Sequence, residues 1–235
     1  MRPLTHGIFA LVLGFGLATS GPAVADNVPS GDGFAWTPRD GDVIRFDVRR
    51  QGKPFGTHEV RFEVLPDGTI EAHTNVTLRA GIGPIPLYRY ELQSTERWQD
   101  GLLVGLQGEV YKDGKAGSVT ARAEGDVIEV EGTGFDGTVP LTTVPASHWN
   151  MAQTEASTLL SSENGQLIDV SVRLKGRETL EIAGVAVEAN KFLLDSDIDV
   201  TLWYDDAGRW LKLSFSARGQ QIDYVLQAPY WQDQG

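Results

Sequence analysis

Ile44-Arg45-Phe46-Asp47-Val48-Arg49 alternates an apolar side chain with a charged one at every step. Side chains of an extended strand point to opposite faces in turn, so this order gives one apolar and one wet face. The same alternation returns in Val60-Arg61-Phe62-Glu63-Val64, in Tyr88-Arg89-Tyr90-Glu91-Leu92, and in Val170, Val172 and Leu174 set among Asp169, Ser171 and Arg173. It closes the chain in Leu211-Lys212-Leu213-Ser214-Phe215 and in Ile222, Tyr224 and Leu226. Between these runs lie turn signals: Pro66-Asp67-Gly68, Asp100-Gly101, Asp113-Gly114, Gly125-Asp126, Asp136-Gly137, Asn164-Gly165, Ala183-Gly184, Asp206-Ala207-Gly208 and Arg218-Gly219. Their separation, mostly about 10 to 20 residues, suits hairpins of long strands.

The expected fold is therefore all-β: a single antiparallel meander of roughly ten to twelve strands. A meander of that length must cover its apolar face, by closing as a barrel, a half-barrel or a two-layer sandwich. Helix is scarce, and Glu155 to Leu160 is the best, short, candidate. Residues 140–165 break the rhythm with Pro140, Pro145 and a polar run, and read as a lid, a plug or a crossover. The one β domain is expected over residues 39–235, behind a loose leader at 26–38.

The first 25 residues read as a signal peptide. Arg2 is the only formal charge before Asp26, the run Gly7 to Ala18 is apolar or small, and Ala23-Val24-Ala25 is an A-x-A cleavage site. The run is too short for a membrane span, which needs about 20 apolar residues. With no cysteine in the chain there is no anchor for an N-terminal lipid, so the processed protein is expected to be periplasmic or secreted, with no membrane span. Cysteine-free composition also removes disulfides, thiolate metal sites and cysteine nucleophiles. A net charge of −12 argues against nucleic acid and against anionic membrane surfaces.

The chemical inventory is sparse. Three histidines lie beyond residue 25: His58, His73 and His148. Period two sends His58 and His73 to opposite faces of their hairpin, so they do not share a metal, and they read as ordinary surface or edge residues. Gly132-Thr133-Gly134-Phe135-Asp136-Gly137 leads into Thr138-Val139-Pro140, an extended segment, and so reads as a glycine-rich turn, not a dinucleotide site. Asp195, Asp197 and Asp199 mimic a calcium loop, but Val200 stands where a sharp turn needs glycine, and the three read as one wet face of a strand. No metal or cofactor is expected. Ser147-His148-Trp149-Asn150 lies in the irregular stretch, where Trp149 is expected to dock into the sheet while its neighbours bond loop backbone.

Several motifs taken in order carry a resemblance. They are Tyr88-x-Tyr90 with Glu96-Arg97-Trp98-Gln99-Asp100-Gly101-Leu102, then Ser147-His148-Trp149-Asn150, then Leu202-Trp203-Tyr204-Asp205-Asp206-Ala207-Gly208-Arg209, and last Gly219-x-x-Ile222-x-Tyr224-x-Leu226. Together they resemble an exported bacterial family, the 6134-type domain of unknown function, and more distantly other periplasmic β proteins and the half-barrels of lipoprotein carriers. The resemblance implies a fold and a compartment and brings no activity with it.

One-faced alternation, abundant tryptophan and a sparse catalytic inventory point to a non-enzymatic module. It is expected to bind a lipid, another apolar small molecule or a partner's apolar segment in a curved sheet. Trp98, Trp149, Trp203 and Tyr204 are the candidate apolar contacts, with Glu96 and His148 as polar anchor. Two alternatives stay open: a hydrolase-type enzyme pairing His148 with a carboxylate such as Glu96, and an envelope scaffold whose edge strands pair with another protein.

Overall fold

Five two-residue turns in the computed structural model place both residues at positive φ: Gln51-Gly52, Asp100-Gly101, Asp113-Gly114, Ala183-Gly184 and Arg218-Gly219. That backbone matches the twist of the strands it joins, and glycine adopts it without strain. The structure describes residues 36–82 and 85–231. The expected signal peptide and residues 26–35 of the leader lie outside them.

The N-terminal meander runs β1 (Val43–Arg50), β2 (Lys53–Val64), β3 (Ile70–Ile82), β4 (Ile85–Gln99), β5 (Leu102–Lys112), β6 (Lys115–Glu124), β7 (Val127–Gly132) and β8 (Asp136–Pro140). Three short strands come next, β9 (Val144–Pro145), β10 (Thr158–Leu160) and β11 (Leu167–Asp169), and form a small sheet of their own. A C-terminal meander completes the chain with β12 (Ser171–Ile182), β13 (Val185–Asp195), β14 (Val200–Tyr204), β15 (Trp210–Ala217) and β16 (Gln220–Leu226). The sixteen strands among the described residues exceed the ten to twelve expected, chiefly because the irregular stretch holds three short ones.

The two meanders are one antiparallel sheet of thirteen strands, in the order β12-β13-β14-β15-β16-β1-β2-β3-β4-β5-β6-β7-β8. The central seam joins the first strand to the last, with Phe46 opposite Leu226 and Arg50 opposite Ile222. The outermost strands β12 and β8 do not pair, so the sheet is open. It is also curved. His58 on β2 and Trp210 on β15 sit three strands apart, about 14 Å along a flat sheet, yet their ring centroids are 5.2 Å apart. Both edges are guarded: β12 carries a bulge between Leu174 and Gly176 with Arg173, Lys175 and Arg177 around it, and β8 ends in Pro140.

The inner face holds Ile44, Phe46, Val60, Phe62, Leu106, Ile128, Leu202 and Leu213 in one buried core. Residues 141–170, which carry the chain from edge β8 to edge β12, lie across this face. Trp149 packs edge-on to Phe62 and Trp98, at 5.1 and 5.6 Å between ring centroids, and Leu159 and Leu160 are fully buried. The tip at Ser162 to Gly165 comes so close to the sheet that the facing positions must be glycine. A Cβ on Gly108 would stand 2.0 Å from the Ser162 carbonyl oxygen, and one on Gly132 would stand 2.3 Å from that of Asn164. Gly108→Ala is expected to cost about 1–3 kcal/mol by overpacking and to raise amide exchange at 158–168 above that of the sheet. Unchanged exchange there would show that the tip is not held by this contact.

Three local expectations are corrected. The helical turn among the described residues is a 3-10 turn at Met151–Glu155, capped by Asn150, and Thr158–Leu160 is a strand. Asp195 ends β13, while Asp197 and Asp199 occupy the connection to β14, so the three do not share a strand face. His58 and His73 do point to opposite faces, but His58 is buried at 6% exposure, because it shares the inward parity of Val60 and Phe62.

Candidate functional site

Glu96 is the one fully buried carboxylate among the described residues, at 0% exposure, on the inner face of β4 between Ala72 and Leu106 of the flanking strands. Its Oε2 accepts two indole N–H groups, from Trp98 at 3.0 Å and from Trp149 at 2.9 Å. One bond comes from its own strand and the other from residues 141–170, so the carboxyl ties the sheet to the segment lying across it. Burial pushes its pKa up, partly offset by the two indoles and by the nearby Ser147 hydroxyl. That hydroxyl stands close to Glu96 without the geometry of a hydrogen bond, and Oε1 is left unbonded.

A second knot lies beside it. His148 Nδ1 contacts Gln153 Oε1 at 2.9 Å. An amide oxygen only accepts, so Nδ1 carries the proton. Gln153 Nε2 donates to Tyr204 Oη at 2.6 Å, and Tyr204 donates in turn to the His148 carbonyl at 2.7 Å. This ring of bonds holds His148 at a positive φ of 68°. Its imidazole leans on Trp210 at 5.8 Å, and burial lowers its pKa. Trp210 also meets His58, at 5.2 Å, and both nitrogens of His58 lack a hydrogen-bond partner. Burial, aided by His148, lowers the His58 pKa to about 3.

The structure therefore brings Glu96, Trp98 and Tyr204 of the sheet together with His148 and Trp149 of residues 141–170. Trp203 stands apart. Its neighbour Tyr204 faces inward, so Trp203 faces outward, with its N–H donating to Glu178 and with Lys191 and Lys212 over its ring. No hydrogen bond joins His148 to Glu96 among the described residues: Gln153 engages one, and the two indoles engage the other. Gln153, fully buried and central to the knot, gave no sign in the sequence, because it lies in a stretch without periodicity.

A groove of about 390 Å³ lies on the polar outer face and is lined by residues such as Arg61, His73, Asn75, Gln93 and Gln107. Its charges already pair with one another: Glu59 accepts from Arg45 at 2.5 Å and from Arg61 at 2.6 Å. Nearby, Glu63, Glu71 and His73 offer donor atoms within 4.8 Å of one another, the set that could hold a metal ion. Glu71 is already engaged by Arg97 at 2.7 Å.

On the inner face, residues 141–170 leave one area open. The row Val48, Tyr224, Leu213, Leu202, Phe192, Leu174 crosses six neighbouring strands. It is buried through Leu202, partly buried at Phe192, and ends on Leu174 at 61% exposure. Val172, Val200 and Phe215 beside it are also partly exposed. Phe55 and Tyr88 stack at 5.4 Å on the far side of the seam.

A family model described as a domain of unknown function, DUF6134, matches residues 46–227. No curated protein matches the chain at a significant level. Among solved structures, a β-barrel-like protein of domain of unknown function DUF1849 from Brucella abortus aligns at 12% identity with a TM-score of 0.55, over 81% of this chain and 97% of that one. MucB in complex with MucA(peri) aligns at 18% identity and a TM-score of 0.31, over 84% of this chain and 53% of that one. LprF from Mycobacterium bovis aligns at 10% identity and a TM-score of 0.30, over 79% and 84%. The first of these supports the curved β architecture.

Proposed function

The chain belongs to the DUF6134 family, and from that premise we propose that it is an exported, non-enzymatic binding protein that takes an apolar ligand on the uncovered part of its inner sheet face. The observation that carries this reading is the inner row that leaves the core, is only partly buried at Phe192 and ends on exposed Leu174. Apolar side chains on the inward side of a sheet are ordinarily covered, and a contiguous exposed patch of them marks a contact surface. Export rests on the N-terminal signal pattern. No helix among the described residues is long and apolar enough to cross a membrane.

The alternatives have less support. A hydrolase needs His148 and its carboxylate joined directly or through one water, whereas each has other hydrogen-bond partners. Edge pairing with another protein is disfavoured by the cations and the bulge on β12 and by Pro140 on β8.

Nile red fluorescence and native mass spectrometry of gently purified protein test the reading. Saturable dye binding or a co-purified lipid is expected. Leu174→Asp places a charge in the open patch without disturbing buried packing, and is expected to weaken dye binding about tenfold, as loss of one leucine contact allows. Absence of both dye binding and lipid would overturn the proposal.

A further inference from the structure

One inner-face row differs from its neighbours. Arg50 on β1 pairs with Ile222 on β16, Ile222 with Phe215 on β15, Phe215 with Val200 on β14, Val200 with Leu194 on β13, and Leu194 with Val172 on β12. Residues paired across antiparallel strands share a face. Five apolar side chains therefore run in file from a single arginine to the sheet edge; Ile222 and Leu194 are buried, and Phe215, Val200 and Val172 are partly exposed. Arg50 is partly buried, and its guanidinium lies 5.2 Å from the centroid of the Phe55 ring. It makes no ion pair or hydrogen bond among the described residues. Most other arginines on the sheet are paired: Arg45, Arg61, Arg79, Arg89, Arg97, Arg173 and Arg177 each hold a carboxylate.

We propose that this row is the seat of a long single-chain anionic amphiphile, its carboxylate on Arg50 and its acyl chain laid over the row toward the sheet edge, touching Phe215, Val200 and Val172, the members that are partly exposed. The inference rests on the apolar-ligand reading above and deepens it. A guanidinium half-withdrawn from water without a counter-charge is poorly satisfied, and a carboxylate matches its planar fork with two parallel hydrogen bonds. In a chain of net charge −12 the general field repels anions, so an inward, unpaired cation at the end of an apolar row marks a local preference that the rest of the surface opposes. The length of the row agrees. Six strands at their usual spacing cover about 24 Å, a distance that an extended chain of palmitate length nearly spans. A shorter acid would leave Val172 and Leu174 uncovered, and a bulky multi-chain lipid exceeds a single file of side chains.

The test compares palmitate with hexadecanol, which has the same chain and a neutral head, as competitors for Nile red on the full protein below micellar concentrations. Palmitate is expected to displace the dye at about one-tenth the concentration that hexadecanol needs. Arg50→Met, which keeps the length and apolar stem of the side chain, is expected to abolish that difference by weakening palmitate alone. Arg50→Lys is expected to retain part of it. Equal displacement by the two competitors in the natural protein, or a palmitate preference that survives Arg50→Met, would overturn the inference and leave the apolar-ligand reading standing. Failure of both competitors to displace bound dye would overturn the inference alone, and absence of dye binding together with absence of co-purified lipid would remove the two together. Circular dichroism of Arg50→Met confirms that the sheet is intact.

Discussion

Glu96→Ala is expected to lower the unfolding free energy by about 3 kcal/mol, and Glu96→Gln by less than about 1 kcal/mol. The alanine variant removes the acceptor shared by Trp98 and Trp149 and leaves a void in a fully buried site. Withdrawing a partner from a buried hydrogen bond costs about 1–3 kcal/mol for each group affected. Glutamine keeps an oxygen where Oε2 stands. It also places an amide donor at Oε1, which makes no hydrogen bond in the natural protein. Burial raises the Glu96 pKa and so favours the neutral over the charged group there, which is why the amide is the mild change. Urea unfolding curves for the three proteins give the comparison. Equal losses in the two variants would show that the negative charge, not the shared acceptor, holds the segment down.

Acid will destabilise the fold through His58, beginning near pH 6.5. Above that value folded and unfolded chains both carry a neutral imidazole. Below it the unfolded chain takes up a proton that the buried ring, with its pKa lowered to about 3, refuses. Stability is therefore lost as pH falls from about 6.5 toward 3. Each unit in that window costs about 1.4 kcal/mol, so the loss is capped at about 5 kcal/mol. Glu96 acts in the opposite sense: its raised pKa favours the folded state below the ordinary carboxylate range, and that contribution fades as pH rises through the folded value. His58→Leu isolates the first effect. Its melting temperature should change less between pH 7 and pH 4 than that of the natural protein. Parallel pH curves for the two would show that His58 is not the group responsible.

How much of this could be read in advance differs residue by residue. Alternation along Ile44 to Arg49 and its repeats carried the all-β class, the inward face and the opposed directions of His58 and His73, because period two is a local property of the backbone. The same rule, pressed harder, places His58 among Val60 and Phe62, and so inside, and separates Trp203 from Tyr204, which as neighbours on one strand cannot share a face. The bond between Trp149 and Glu96 joins positions 53 residues apart, and no local pattern encodes it. Gln153 and the 3-10 turn around it lie in a polar stretch whose conformation is dictated by the sheet beneath. Arg50 looked like one more charge in an alternating strand, yet it shares the parity of Ile44, Phe46 and Val48 and so stands on the apolar side, as its pairing with Ile222 bears out.

The seam between β1 and β16 sets an order of events. Gln227 bonds Asp47 across 180 positions of sequence, so the middle of the sheet is the last part of the molecule that a nascent polypeptide is able to finish. Closing so long a loop is entropically costly and slow. Until it happens, two half-sheets each present a raw central border to whatever is near. A fold assembled this way is exposed to aggregation at its centre, not its rim, and gains from any helper that shields those two strands until they meet.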